Sequence, residues 1–187
     1  MAKVAVFIAD GSEEVEAITP VDLLRRAKAE VDIVSIMPSL EIEASRGLKI
    51  KADKLIGDID FDDYDFLILP GGVKGTNNLN ACELLKENVV KFNDQGKGIG
   101  AICAAPIVFA GQGILNGKDA TSNPGVWDEL RKNGANVIED SKVIVNGNVI
   151  TSQAMGTSVD FGLAVVAYLF GEDAKEELRK NIRFGAL

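Results

Sequence analysis

The 187-residue chain contains no histidine. That excludes a Ser-His-Asp triad, a Cys-His dyad and a histidine-built zinc site. Any catalysis must rest on carboxylates, thiols, hydroxyls, amines or the backbone. Cysteine is scarce as well. Cys82 and Cys103 are the two present, too few for a secreted disulfide scaffold and expected to be free in a reducing compartment. No apolar run approaches the about 20 residues that span a bilayer. Met1-Ala2-Lys3-Val4 leads straight into a strand pattern, so no signal peptide is expected and a cytoplasmic location is. Positive charge is short: 20 Lys and Arg face 28 Asp and Glu, a net charge of −8. Such a surface repels phosphate backbones and anionic lipid, so neither nucleic acid nor a membrane is the expected partner. There is no Walker motif. Gly96-Lys97-Gly98-Ile99-Gly100 precedes a strand instead of following one, so it is no dinucleotide fingerprint. The aspartates at 58, 60, 62, 63 and 65 lack the spacing of a calcium loop and read as a solvated segment. No metal and no cofactor are expected.

What the chain does have is alternation. Lys3 to Ala9, Val31 to Met37, Leu48 to Ala52, Phe66 to Leu69 and Gly96 to Ile102 read as strands, short apolar runs rich in β-branched residues. Val143 to Val145 and Val149 to Thr151 flank Asn146-Gly147, a hairpin signal. Between them lie helical stretches: Glu13 to Ala29, Asn78 to Asn93, Ala104 to Gly111, Thr157 to Phe170 and Glu172 to Asn181. In the first, Val15, Ile18, Val21 and Leu24 form the apolar side, and Pro20 either kinks the helix or restarts it behind a Thr19 cap. Strands separated by helices imply βαβ units. The expected fold is one flavodoxin-like, three-layer α/β/α domain over residues 1–187, with a mostly parallel sheet.

Sites in such folds form beyond the carboxyl ends of the strands. Cys103 sits at one of them, in Gly100-Ala101-Ile102-Cys103-Ala104-Ala105-Pro106, with no loop between strand and helix. Small neighbours permit so sharp a turn, the elbow geometry of hydrolase nucleophiles. A helix N-terminus there is expected to pull the thiol from about 8.5 into the range of roughly 3.5–7.5. Pro70-Gly71-Gly72 ends the strand before it, and two glycines let backbone N–H groups turn inward as oxyanion donors. Glu13-Glu14-Val15-Glu16 follows the first strand. Glu16 is the expected partly buried acid, able to hydrogen-bond a thiolate or move protons. Glu13 and Glu14 are expected to form a solvated first turn, Cys82 to be a bystander, and Trp127 a packing anchor.

At these sites the sequence resembles the DJ-1/ThiJ/PfpI superfamily, and within it the DJ-1/YajL-like branch. The landmarks are Gly11-Ser12-Glu13-Glu14-Val15-Glu16, Pro20-Val21-Asp22-Leu23-Leu24-Arg25-Arg26, Ser45-Arg46-Gly47, Leu69-Pro70-Gly71-Gly72, Ala101-Ile102-Cys103-Ala104-Ala105-Pro106 and Gly156-Thr157-Ser158. The resemblance implies that Cys103 is an oxidisable nucleophile and Glu16 its protonated partner. It implies that the Gly72 and Ala104 amides face the thiol, and that Arg46 lies near the pocket, often across a dimer interface. A homodimer with the first helix in the contact is implied too. Asn123 stands where DJ-1 proteins carry a histidine, which the YajL branch also lacks. Gln153, Ala154 and Met155 stand where they carry Arg-Gly-Pro. The implied activities are a cofactor-free glyoxalase or deglycase acting on methylglyoxal or glycated adducts, slowed by the missing histidine, and redox sensing through a Cys103 sulfinate. A redox-regulated chaperone is a further family role without a signal in these residues.

Overall fold

The run Val4 to Ile8 is fully buried in the computed structural model, which describes residues 1–185. It forms β1 (Lys3–Ile8), inside a seven-stranded sheet. Across that sheet lie β10 (Val143–Asn146), β11 (Val149–Ser152), β7 (Gly98–Ile102), β6 (Phe66–Leu69), β1, β2 (Glu30–Ser35) and β5 (Lys54–Leu55). Every pairing is parallel except β10 with β11, joined through Asn146-Gly147. Alternate residues of β1 serve opposite faces, as the period of two requires. Ala5 and Phe7 pack with one core, while Val4, Val6 and Ile8 pack with the other.

The first core is covered by α2 (Val73–Ala81), α3 (Glu83–Asp94), α4 (Pro106–Gly111) and α5 (Trp127–Lys132) through Leu79, Phe92, Phe109 and Leu130. The second is covered by α1 (Glu14–Arg26), α6 (Ser158–Phe170) and α7 (Glu172–Asn181) through Leu24, Phe161 and Leu178. This is the expected three-layer α/β/α sandwich. Both faces being buried explains why the central strands read as unbroken apolar runs. No described helix is long and apolar enough to cross a membrane.

Several local readings change. Residues 78–93 are not one helix. The chain breaks at Cys82 (φ −86°, ψ 99°) between α2 and α3, and α2 begins at Val73, directly after Gly72. Residues 48–52 contain β4 (Lys49–Lys51), which pairs with β3 (Glu41–Glu43) in a separate hairpin and not with the main sheet. Its lysines are exposed, so it buries too little to join the core. A second small pair, β8 (Asp119–Ala120) with β9 (Asn136–Val137), carried no sequence signal. Pro20 is absorbed inside a continuous α1. Val15 and Ile18 do not face the core, being 42% and 38% exposed. The buried stripe of α1 is Ala17, Pro20, Val21, Leu23 and Leu24. It packs on α6 at Gly162, where an added Cβ would meet Leu23 Cδ1 at 2.6 Å.

Candidate active site

β7, β6 and β1 are neighbours in the sheet, so their carboxyl ends meet although their sequences are far apart. Three segments converge there: Gly11 to Glu16 after β1, Gly71-Gly72 after β6, and Cys103 after β7. Cys103 has φ +66°, one of three positive values at non-glycine positions among the described residues. Such a conformation costs on the order of 1–3 kcal/mol and persists only where its surroundings hold it. Here the Cys103 N–H donates to Ser152 O (3.0 Å), and Cys103 O accepts from the Asn123 N–H (2.8 Å). The elbow is thus pinned at both ends.

Glu16 is 1% exposed. Its Oε2 accepts the Gly71 N–H at 3.0 Å, and the nearby Met155 amide also favours its charged form. Its own N–H is taken by Glu13 Oε2 at 2.8 Å, which caps α1. Gly71 separates the acid from the thiol. A Cβ added there would lie 2.5 Å from Cys103 Cβ and 2.6 Å from Glu16 Oε2. Only a glycine lets the two side chains meet. Gly72 has φ +87° and would drive a Cβ into Gly11 O. Its amide, with that of Ala104, lies near enough to the thiol to favour the thiolate.

Burial pushes the Glu16 carboxyl up to about 7, aided by the charge of Glu13; the Cys103 thiol and the Gly71 and Met155 amides pull the other way. Burial also pushes the Cys103 thiol up to about 12, with the Glu16 carboxylate adding to the rise against the Gly72 and Ala104 amides. Taken as a pair, the two release one proton near 7 and keep the second to about 12. Above about 7 the pair therefore keeps a single proton, held by the thiol, with the Glu16 carboxylate beside it as the base. The expectation of a thiol lowered by a helix N-terminus is corrected. The amide donors are there, but α4 starts only at Pro106, and burial beside a carboxylate outweighs them.

Glu14 also departs from its solvated reading. It is 6% exposed, and its carboxylate accepts the Ser45 hydroxyl (2.8 Å) and the Arg46 N–H (2.6 Å). Burial pushes it up, but its own N–H, Ser45 and Arg46 outweigh that and hold it below the usual range. Glu14 thereby clamps the β3–β4 hairpin to α1.

Arg46, Asn123, Gly72, Ala104, Glu16 and Cys103 all line one open cleft of about 840 Å³, whereas Gly71, expected there too, is buried against Cys103 and Glu16 and is not part of the lining. The Arg46 guanidinium is exposed and bonds to Ser45 O at 3.3 Å. The Asn123 side chain accepts the Gly125 N–H (3.0 Å), capping the turn Pro124–Val126. Gln153 turns away to Glu139 O (2.7 Å). Cys82 sits at the α2–α3 break and does not line the cleft, and Trp127 anchors its loop by donating to Ser122 O (2.9 Å). The sequence reading missed the Met155 amide, which no side-chain pattern reveals. It also missed Lys74 at the cleft wall, although Pro70-Gly71-Gly72 pointed to its neighbourhood. Among the described residues no group of His, Cys, Asp or Glu side chains is placed to hold a metal.

Comparison with known proteins agrees with this fold. A model of the DJ-1/PfpI family matches residues 2–168. Protein DJ-1 homolog A of Arabidopsis thaliana is 42% identical over 95% of this chain, which spans 45% of that protein's length. The glutathione-independent glyoxalase DJ-1 of Schizosaccharomyces pombe is 30% identical over 97% of this chain and 98% of its own. The solved structure of oxidized Toxoplasma gondii DJ-1 superposes with a TM-score of 0.93, at 31% identity, covering 99% of this chain and 100% of that one.

Proposed function

The chain belongs to the DJ-1/PfpI family, and on that premise we propose a cofactor-free, cysteine-dependent enzyme acting on methylglyoxal or its glycated adducts. The observation that carries the reading is the Cys103–Glu16 pair packed against Gly71, a buried acid pushed up to about 7 beside the thiol. Cys103 Sγ attacks the aldehyde carbon as Glu16 takes the thiol proton. The aldehyde oxygen becomes an oxyanion facing the Gly72 and Ala104 amides, and Glu16 protonates it to a hemithioacetal. Glu16 then removes the hydrogen on that carbon as a proton, giving an enediolate, and returns it to the neighbouring carbon as the hydroxyl proton passes from the first oxygen to the second. The product is a lactate thioester; one carbon is oxidised and the next reduced. Water breaks the carbon–sulfur bond and releases lactate and the thiol. A carboxylate alone must serve every proton transfer, so turnover is slow.

The test is lactate formation from methylglyoxal without glutathione. Wild type should produce it and Cys103→Ser should not. Equal rates would end the reading.

A second reading, redox sensing, is favoured by the half-buried thiol opening on a cleft. Peroxide takes Cys103 to sulfenic and then sulfinic acid, each step releasing water. Glu16 and the amides would hold the product. Intact mass after mild peroxide should show two added oxygens on Cys103. Oxidation at Cys82 alone would sink this reading.

The reading includes a cytoplasmic homodimer. Exposed Val15 and Ile18 on α1, beside a groove of Ile18, Leu23, Val159, Ile182 and Phe184, supply an apolar face for a second copy. Light scattering at micromolar concentration should give twice the chain mass of 19.9 kDa.

A further inference from the structure

We propose that Lys74 makes this cleft selective for carbonyl substrates carrying a carboxylate, a refinement that rests on the activity proposed above. Lys74 breaks a local rule. It lies in the first turn of α2, the positive end of the helix dipole, where a cation is unfavourable. That turn has no acidic residue and no side-chain cap to compensate. Conflicts of this kind with no structural compensation mark functional positions.

Its placement fits an anionic ligand. The stem lies along Gly11 (φ +80°), where an added Cβ would meet Lys74 Cβ, Cγ and Cδ at 2.5, 2.9 and 3.0 Å. Gly11 thus makes room for the methylenes, which lowers the entropy lost when the ammonium engages a ligand. Lys74 and Gly11 line the same cleft as Cys103. Among the described residues the ammonium makes no ion pair and no hydrogen bond. Arg46, across the cleft on the β3–β4 turn, likewise has no carboxylate within ion-pair distance.

Among the described residues the acids of the lining form no ion pair with these cations. Glu13 is spent on capping α1, and Glu16 lies inside against the thiol. Glu14 stands behind Arg46, its oxygens taken by Ser45 and the Arg46 N–H. Glu13 and Glu43 thus line the cleft beside Lys74 and Arg46, two carboxylates to two cations, and with no ion pair among them in the described residues both cations stay open to a ligand carboxylate. A 2-oxoaldehyde with its aldehyde at Cys103 and a carboxylate a few bonds away would meet Lys74 at the cleft wall.

Two measurements test this, and the first does not depend on turnover. Alkylation of Cys103 is followed by peptide mass with iodoacetate, an anion, and with iodoacetamide, its neutral counterpart. The iodoacetate-to-iodoacetamide rate ratio should fall about fivefold in Lys74→Gln, the scale of one partly exposed ion pair. It should return in Lys74→Arg, and high salt should abolish the difference. Lys74 is exposed and glutamine keeps most of its stem, so folding is not at issue. A ratio that is the same in wild type and Lys74→Gln overturns the proposal, as does a Cys103 that neither reagent modifies. The second measurement compares kcat/KM for 4,5-dioxopentanoate, which the same chemistry converts to 2-hydroxyglutarate, with that for methylglyoxal. Lys74→Gln should lower this ratio by a similar factor, and an unchanged ratio overturns the selectivity. If wild type turns over neither compound while the alkylation ratio still depends on Lys74, the activity fails and carboxylate recruitment by Lys74 stands.

Discussion

Replacing Gly71 with alanine tests the heart of the site. The new methyl carbon would lie 2.5 Å from Cys103 Cβ, 2.6 Å from Glu16 Oε2 and 3.0 Å from Ile102 O, where ordinary contact begins near 3.4 Å. Gly71 has no positive φ, so alanine adds crowding without backbone strain. Neither neighbour yields freely. Cys103 is pinned by hydrogen bonds to Ser152 and Asn123, and Glu16 Oε2 is held by the Gly71 N–H itself. To reach ordinary contact, the thiol side chain and the acid must each give way by several tenths of an ångström. Overpacking of this kind costs about 1–3 kcal/mol, or a Tm drop of roughly 2–12 °C for a chain this size. Gly57→Ala is the control, since nothing lies within 4 Å of its Cβ position. Thermal unfolding reads the cost, and the pH profile of Cys103 alkylation reads the separation. In wild type the rate should rise as the pair loses its first proton near 7. In Gly71→Ala that step should move or vanish. A Tm within a degree of wild type, with the same profile, would refute the reasoning.

Glu16→Gln should change how stability depends on pH. The folded pKa is raised from 4.5 to about 7, so the acid's contribution is full below 4.5 and lost as pH climbs to 7. Wild type should therefore lose about 3 kcal/mol relative to Glu16→Gln across that window, by urea unfolding. Glu14→Gln should behave oppositely. Its folded pKa is lowered, so its contribution is present above 4.5 and disappears in acid. The variant should be less stable than wild type at pH 7, with the gap closing as pH falls. Asp32 accepts the buried Tyr64 hydroxyl at 2.7 Å and Lys54 Nζ at 2.9 Å. Asp32→Asn should cost about 1–3 kcal/mol by chemical denaturation at neutral pH.

The layers, the parallel strands and the elbow at Cys103 were legible because each has a local signature. β6 reads as Phe-Leu-Ile-Leu because it is buried on both faces, and Gly71-Gly72 ends it with unmistakable turn chemistry. What the sequence hid depends on distant partners. Val15 and Ile18 look like core residues, yet the stripe of α1 is set by where Gly162 lets α6 approach. The break at Cys82 has no glycine or proline to announce it. Glu14 looks like an ordinary charged first turn, because Ser45 and Arg46 arrive from 31 and 32 residues away. The thiol was read as lowered because a strand-to-helix turn is visible in sequence, whereas the depth of its burial is not.

Glu14 and Glu16 stand two residues apart on one helix and meet opposite fates. Two steps along a helix is about 200°, so the two carboxyls leave α1 on nearly opposite sides. One side meets the β3–β4 hairpin, whose hydroxyl and amide donors keep Glu14 ionised. The other meets the ends of β6 and β7, where a single glycine N–H, the Met155 amide and a thiol leave Glu16 with too few donors to offset its burial. Environments that drive neighbouring carboxyls apart are what separate a structural acid from one that trades protons near pH 7. The arrangement also ties the site's two walls together. Glu14 fixes the hairpin that carries Arg46, and Glu16 fixes the acid beside Cys103, so the first turn of α1 sets both the entrance and the floor of the cleft. Its own start is set by the Glu13 cap. Losing that cap should therefore disturb the acid–thiol pair and the cation at the rim together, a coupling that neither Glu14→Gln nor Glu16→Gln alone would produce.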